Sequence, residues 1–219
     1  MTRPSAVLFD CDGVLADTEG TVNRLVAEDL SLRGWPMDGV EARETFLGLA
    51  LPDMVPLIEA RCGPLPRGWG RMLSARIATR LSVGVDAMPG AVAAVMVVHA
   101  AGIPVACASN SSRIELAIKL PALGLHEVFL DRAFSFEDVA RPKPWPDLWI
   151  AAARACGAAP RDCVVVEDSL AGVRSARAAG CRVLGLAHPG EGDGLAAAGA
   201  QVFRAMAELP GLLGLQEAW

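Results

Sequence analysis

The sequence predicts an α/β fold: a parallel sheet core with helices on both faces, plus an inserted all-helical cap domain. Three observations carry this expectation. Short apolar runs of strand length recur along the chain. Helical patterns lie between them. One long stretch near the N-terminus breaks the alternation and holds no convincing strand.

Continuous apolar runs suit strands that are covered on both faces. The clear ones are Ala6–Phe9, Ile103–Ala108, Cys163–Val166 and Arg182–Leu186, with weaker candidates at Ala133–Ser135 and Gln201–Phe203. Helical patterns run from Gly90 to Ala101, Arg113 to Lys119, Pro146 to Cys156 and Leu170 to Ala179. Several are followed by glycine, at Gly102, Gly157 and Gly180, where a left-handed C-terminal cap costs little. Strand alternating with helix argues for a parallel sheet. Residues 17–85 carry helix candidates at Thr21–Leu32, Val40–Leu47, Asp53–Arg61 and Trp69–Leu81. A stretch this long is too much for a plain loop in a compact domain. The core is therefore expected at 1–16 and 86–219, with the helical cap at 17–85.

At 219 residues and 53% hydrophobic, the chain supports a sizeable core. No apolar run is long enough and free enough of charge to span a bilayer. The N-terminus turns acidic too soon for a signal peptide. A formal net charge of -5 gives no general attraction for nucleic acid or an acidic membrane. Cys11, Cys62, Cys107, Cys156, Cys163 and Cys181 show no CxxC spacing, and reduced structural cysteines in a cytoplasmic protein are expected. A monomer is the expected state. The only lysines are Lys119 and Lys143.

Ligands of parallel sheets bind beyond the carboxyl ends of the strands. Asp10 and Asp12 follow the first run, and Gly13 permits a sharp turn. Alone, such a pair is either an ordinary acidic turn or half of a site. Ser109 and Asn110 follow the run Ile103–Ala108. They suit a helix N-cap or a phosphate oxygen, and both readings can hold together. Lys143 stands between Pro142 and Pro144, as a solvated lysine or as one held in place by its prolines. Glu167 and Asp168 end the run Cys163–Val166. Ser169 is explained as a helix cap; the two carboxylates are not.

If these strands are neighbours, four carboxylates meet at one edge. Two like charges ~5 Å apart at an effective dielectric of ~20 repel by roughly 3 kcal/mol. The cluster calls for a cation, and oxygen ligands favour Mg²⁺. His99, His126 and His188 are scattered and show no zinc spacing. A carboxylate beside Mg²⁺, a lysine and a hydroxyl suits phosphoryl transfer.

Four motifs in order, "DCDGVLADTE", "ASNSS", "RPKPWPD" and "VVVEDSLAGV", resemble the haloacid dehalogenase-like superfamily. The similarity is to its phosphatase and β-phosphoglucomutase branch and covers nearly the whole chain. It implies a Rossmann-like core with an inserted helical cap. It implies that Asp10 is the nucleophile, forming an aspartyl phosphate, and that Asp12 is the acid and base. Ser109, the Asn110 backbone and Lys143 would bind the phosphoryl oxygens. Asp10, the Asp12 carbonyl, Asp168 and Glu167, directly or through water, would hold Mg²⁺. An acidic Asp12 would need a raised pKa in the closed site.

The expected function is Mg²⁺-dependent hydrolysis of a small phosphorylated metabolite, in the first place a sugar phosphate. Asp12 argues against dehalogenation, whose members carry an aromatic there. The cap has no lysine for phosphonate cleavage through a Schiff base. A β-phosphoglucomutase-type activity shares all four motifs. Such mutases carry an early cap histidine and a cap arginine, absent from "TEGTVNRLVAEDL" and "FLGLALPDM" at the corresponding places. A phosphoglycolate phosphatase and a non-catalytic binding protein on the same fold are further alternatives. Arg43 and Asn23 are candidate substrate contacts or plain surface residues.

Overall fold

The protein is described by a computed structural model over residues 3–215. The first segments are β1 (Ala6–Phe9), β2 (Ala16–Asp17) and helices α1 (Glu19–Leu32), α2 (Gly39–Phe46), α3 (Leu51–Cys62) and α4 (Trp69–Leu81). Then follow β3 (Asp86–Ala87), α5 (Ala91–Ala100), β4 (Val105–Ala108), α6 (Arg113–Ala122), α7 (His126–Phe129), β5 (Ala133–Phe134) and α8 (Asp147–Ala155). The chain continues through β6 (Cys163–Glu167), α9 (Leu170–Ala178), β7 (Arg182–Leu186), α10 (Gly192–Ala197), β8 (Gln201–Phe203) and α11 (Leu209–Leu212).

Six strands form one sheet in the order β5-β4-β1-β6-β7-β8, and every pairing is parallel. β1 is central. The chain builds outward from it on one side through β4 and β5, then returns to the other side through β6. The place where the order reverses is where such sheets bind ligands. It sets the ends of β1, β4 and β6 side by side.

Side-chain alternation divides β1 between two cores. Val7 and Phe9 pack with α5, α6 and α7 on one face. Ala6 and Leu8 pack with α8 and α9 on the other, around Trp149. Both faces are covered, which explains why the strands read as unbroken apolar runs. Helices α1 to α4 close around a separate cluster containing Leu30, Ile58, Trp69 and Ile77. Asp38 caps α2, with Glu41 answering in a capping box.

β4 begins at Val105 rather than Ile103. Pro104 has no N–H to donate and contributes only its carbonyl, which accepts from Val7 N. β6 runs one residue beyond the apolar run because Glu167 pairs with Gly185 of β7. A two-residue antiparallel ribbon, Ala16 opposite Ala87 and Asp17 opposite Asp86, joins the ends of the helical insertion. Among the described residues, no helix is long and apolar enough to cross a membrane. All six cysteines are free.

Phe9 and Phe129 meet edge to face under the sheet, with centroids 6.3 Å apart. Phe129→Ala is expected to cost about 3–5 kcal/mol, measured by urea denaturation, because both rings are fully buried.

Candidate active site

Asp10 leaves the end of β1 and is nearly buried, as are Glu167 and Asp168 at the end of β6. Ligand oxygens of all three lie within 4.8 Å of one another. Lys143 reaches in from the loop before α8. Its Nζ donates to Asp10 Oδ1 at 2.5 Å and to Glu167 Oε1 at 2.8 Å. It also sits 4.2 Å from the centre of the Trp149 ring. Of the two readings open for Lys143, burial at 2% exposure selects the held one. Asn110 secures the segment: its side chain accepts from Lys143 N and donates to Lys143 O, both at 3.0 Å. The same amide donates to Gly48 O in the helical insertion at 2.8 Å.

Three carboxyl groups face one ammonium here, so the cluster holds two more acidic groups than lysines. Burial pushes Asp10 well above the carboxylate range, against the pull of Lys143. Burial likewise pushes Asp168 up to about 7. Asp168 Oδ2 is buried and lacks a well-aligned hydrogen bond, although His188 Nε2 lies 3.3 Å away. Two glycines leave the carboxylates their space. A Cβ on Gly13 would lie 2.0 Å from Asp168 Oδ2, and one on Gly172 would lie 1.6 Å from Glu167 Oε1. Oxygen-only donors, an excess of carboxyl groups and an orphaned carboxylate oxygen fit a hard divalent cation such as Mg²⁺.

Asp12 stands apart from this cluster, with its own lysine. Lys119 of α6 is wholly buried, and its Nζ lies 2.5 Å from Asp12 Oδ1, 2.8 Å from Ser111 Oγ and 3.7 Å from Glu115 Oε2. Thr18 also donates to Asp12 Oδ1. Ser111 donates to Oδ2 at 2.6 Å, and Ser109 approaches it at 3.4 Å. The raised pKa expected for Asp12 is not found. Burial acts to raise it, but Lys119, Ser111 and Thr18 together hold the carboxyl below its ordinary value.

The helices α1 to α4 cover this edge and leave a cavity between. Glu19, Val22, Asn23, Phe46, Leu49 and Met54 line its roof. Besides the Asn110–Gly48 bond, two side chains of the insertion tie it down beside the cavity. Ser74 of α4 donates to Glu115 Oε1 at 2.7 Å, next to Lys119. Arg43 of α2 bridges Glu19 at 2.8 Å and Glu191 at 2.7 Å. Lys119, Ser111, Thr18 and His188 were not among the sequence-derived candidates. For Lys119 the available signal was the scarcity of lysine; His188 lacks any metal-site spacing.

Carboxylates at the switch point of a parallel sheet, with a buried lysine on the foremost one, form a site fit to hold a cation and, beside it, an anionic group. A family model, "haloacid dehalogenase-like hydrolase", matches residues 4–180. The chain is 30% identical to the 6-phosphogluconate phosphatase of Escherichia coli (strain K12), over 84% of this chain and 82% of that protein. It is 32% identical to the bifunctional riboflavin kinase/FMN phosphatase of Arabidopsis thaliana, over 82% of this chain but only 48% of that protein. It thus spans about half the length of that relative. A solved hydrolase of the same family from Deinococcus radiodurans, with bound phosphate and sodium, superposes with a TM-score of 0.76 at 32% identity, covering 99% of both chains. The chain belongs to the haloacid dehalogenase-like hydrolase family.

Gly172→Ala is expected to displace Glu167 and weaken Mg²⁺ binding by about tenfold or more in calorimetric titration. Lys119→Met leaves Asp12 and Glu115 without their counter-charge, and a loss of about 3–5 kcal/mol is expected in urea denaturation.

Proposed function

We propose that the protein is a phosphoric monoester hydrolase that cleaves a small phosphorylated metabolite, a sugar phosphate or close kin, through an aspartyl phosphate on Asp10. We further propose a core of 1–16 and 86–219 and a cap of 17–85. The carrying observation is that Asp10 and Asp12 sit in different electrostatic settings, each with its own buried lysine. Two carboxylates kept apart in this way suit two jobs.

Asp10, Glu167, Asp168 and the Asp12 carbonyl are the proposed Mg²⁺ ligands. Bound there, the ion supplies positive charge that neutralises the phosphoryl oxygens and allows an anionic nucleophile to approach. Lys143, Ser109 and the Asn110 backbone hold the remaining oxygens. An Asp10 oxygen bonds to phosphorus as the bond to the leaving oxygen breaks, and Asp12 gives that oxygen its proton. Water then attacks the phosphoryl group and passes a proton to Asp12. Phosphate leaves, and Asp10 is restored. Without substrate Asp12 is held ionised by Lys119; a dianionic phosphoryl group beside it adds negative charge and favours the protonated form. The absence of histidine from α1 favours a phosphatase over a mutase.

The relatives named for 6-phosphogluconate and FMN support a phosphorylated metabolite as substrate. With Mg²⁺, purified protein is expected to hydrolyse 4-nitrophenyl phosphate, and EDTA is expected to abolish this until Mg²⁺ is restored. Asp10→Asn is expected to lower kcat at least ~10³-fold. An inactive wild type, or an unchanged Asp10→Asn variant, would overturn the reading.

A further inference from the structure

Resting on that reading, we infer the charge class of the substrate: a monophosphate whose leaving group is an uncharged alcohol, with a second anionic group selected against. The basis is where the cations are. Among the described residues lining the cavity, the cationic side chains are Lys119 and Lys143. Each is already held against two carboxylates, Lys119 by Asp12 and Glu115, Lys143 by Asp10 and Glu167. Both serve the phosphoryl end.

The roof offers the far end of a substrate no positive charge. It is mostly apolar, with Glu19 and Asn23 as its polar members. Glu19 contributes a carboxylate to the cavity lining, paired with Arg43. The arginine beside it, Arg43, does not line the cavity and is committed at both ends, Nε to Glu19 and Nη1 to Glu191. A carboxylate or second phosphate on the leaving group would therefore be desolvated under the roof without a counter-charge and near Glu19. A hydroxyl loses much less, because the Asn23 amide can both donate to it and accept from it. Carbon against Val22, Phe46, Leu49 and Met54 gains from burial. Specificity of this kind comes from a cost imposed on the wrong ligand.

The test uses pairs of substrates that differ only in –CH₂OH against –COO⁻. These are 2-hydroxyethyl phosphate against phosphoglycolate, and a hexitol 6-phosphate against 6-phosphogluconate. The expected result is a kcat/KM about tenfold or more higher for the neutral member of each pair. Leu49→Arg, which adds a cation to the roof, is expected to shrink or reverse that ratio. Equal rates in the wild type, or preference for the carboxylates, would overturn the inference. If 4-nitrophenyl phosphate is still hydrolysed in that case, the phosphatase reading stands and only the substrate class falls. If no phosphate ester is hydrolysed, the phosphatase reading falls and takes the inference with it. The wild-type ratio decides the matter even if Leu49→Arg does not fold.

Discussion

The constraint on which this structure depends is an excess of buried carboxyl groups over lysines at the joint of β1 and β6. Asp10, Glu167 and Asp168 converge there around Lys143, with His188 Nε2 3.3 Å from Asp168. Several otherwise separate features serve to hold that cluster. Gly13 and Gly172 clear space for the carboxylates. Trp149 lies beneath the ammonium, and Asn110 grips the lysine's backbone from both sides. Strand pairing makes the arrangement rigid: Asp10 N donates to Val166 O at 3.0 Å, so the two acidic ends cannot drift apart. A sheet that fixes carboxyl groups together is poised for a cation, which would take the place of the proton that burial favours on Asp10 and Asp168.

The insertion is joined to this charge system rather than resting above it. Ser74 on α4 reaches Glu115, Glu115 faces Lys119, and Lys119 holds Asp12. Gly48 meets the same asparagine that positions Lys143. Its φ of +77° and a Cβ position only 3.0 Å from Ala171 both favour glycine there. Arg43 completes the attachment on the other side through Glu191. Closure over the cavity and order within the site are therefore parts of one hydrogen-bonded system.

The fold was largely legible in the sequence because its strands are buried on both faces, and unbroken apolar runs announce themselves. Ala6–Phe9, Arg182–Leu186 and Gln201–Phe203 match their strands residue for residue. The ribbon of β2 and β3 was not legible, because two residues carry no periodicity. Asp10, Ser109, Asn110, Glu167 and Asp168 were legible because a polar residue directly after a buried apolar run is conspicuous, and Lys143 because prolines flank it in a chain with few lysines. Lys119 was not: it lies within a helix, 107 residues from Asp12, and only the packing of α6 brings them together. The direction of the Asp12 shift escaped for the same reason, since it depends on that partner.

Lys119 also bears on how a single carboxyl can serve in both halves of the proposed reaction. A carboxyl raised permanently would be a ready acid but a poor acceptor of the water proton. One held low permanently would show the opposite fault. Here the protein supplies the constant part of the field, through Lys119, Ser111 and Thr18, and it favours the ionised form. The substrate supplies the variable part, because its phosphoryl charge arrives beside Asp12 and leaves again as phosphate. The cavity keeps part of the Asp12 side chain open, at 24% exposure, while Lys119 behind it is fully enclosed. The fixed charge thus sits on the buried side and the changing charge on the open side, so occupancy of the site can set the protonation of Asp12 without any movement of the lysine.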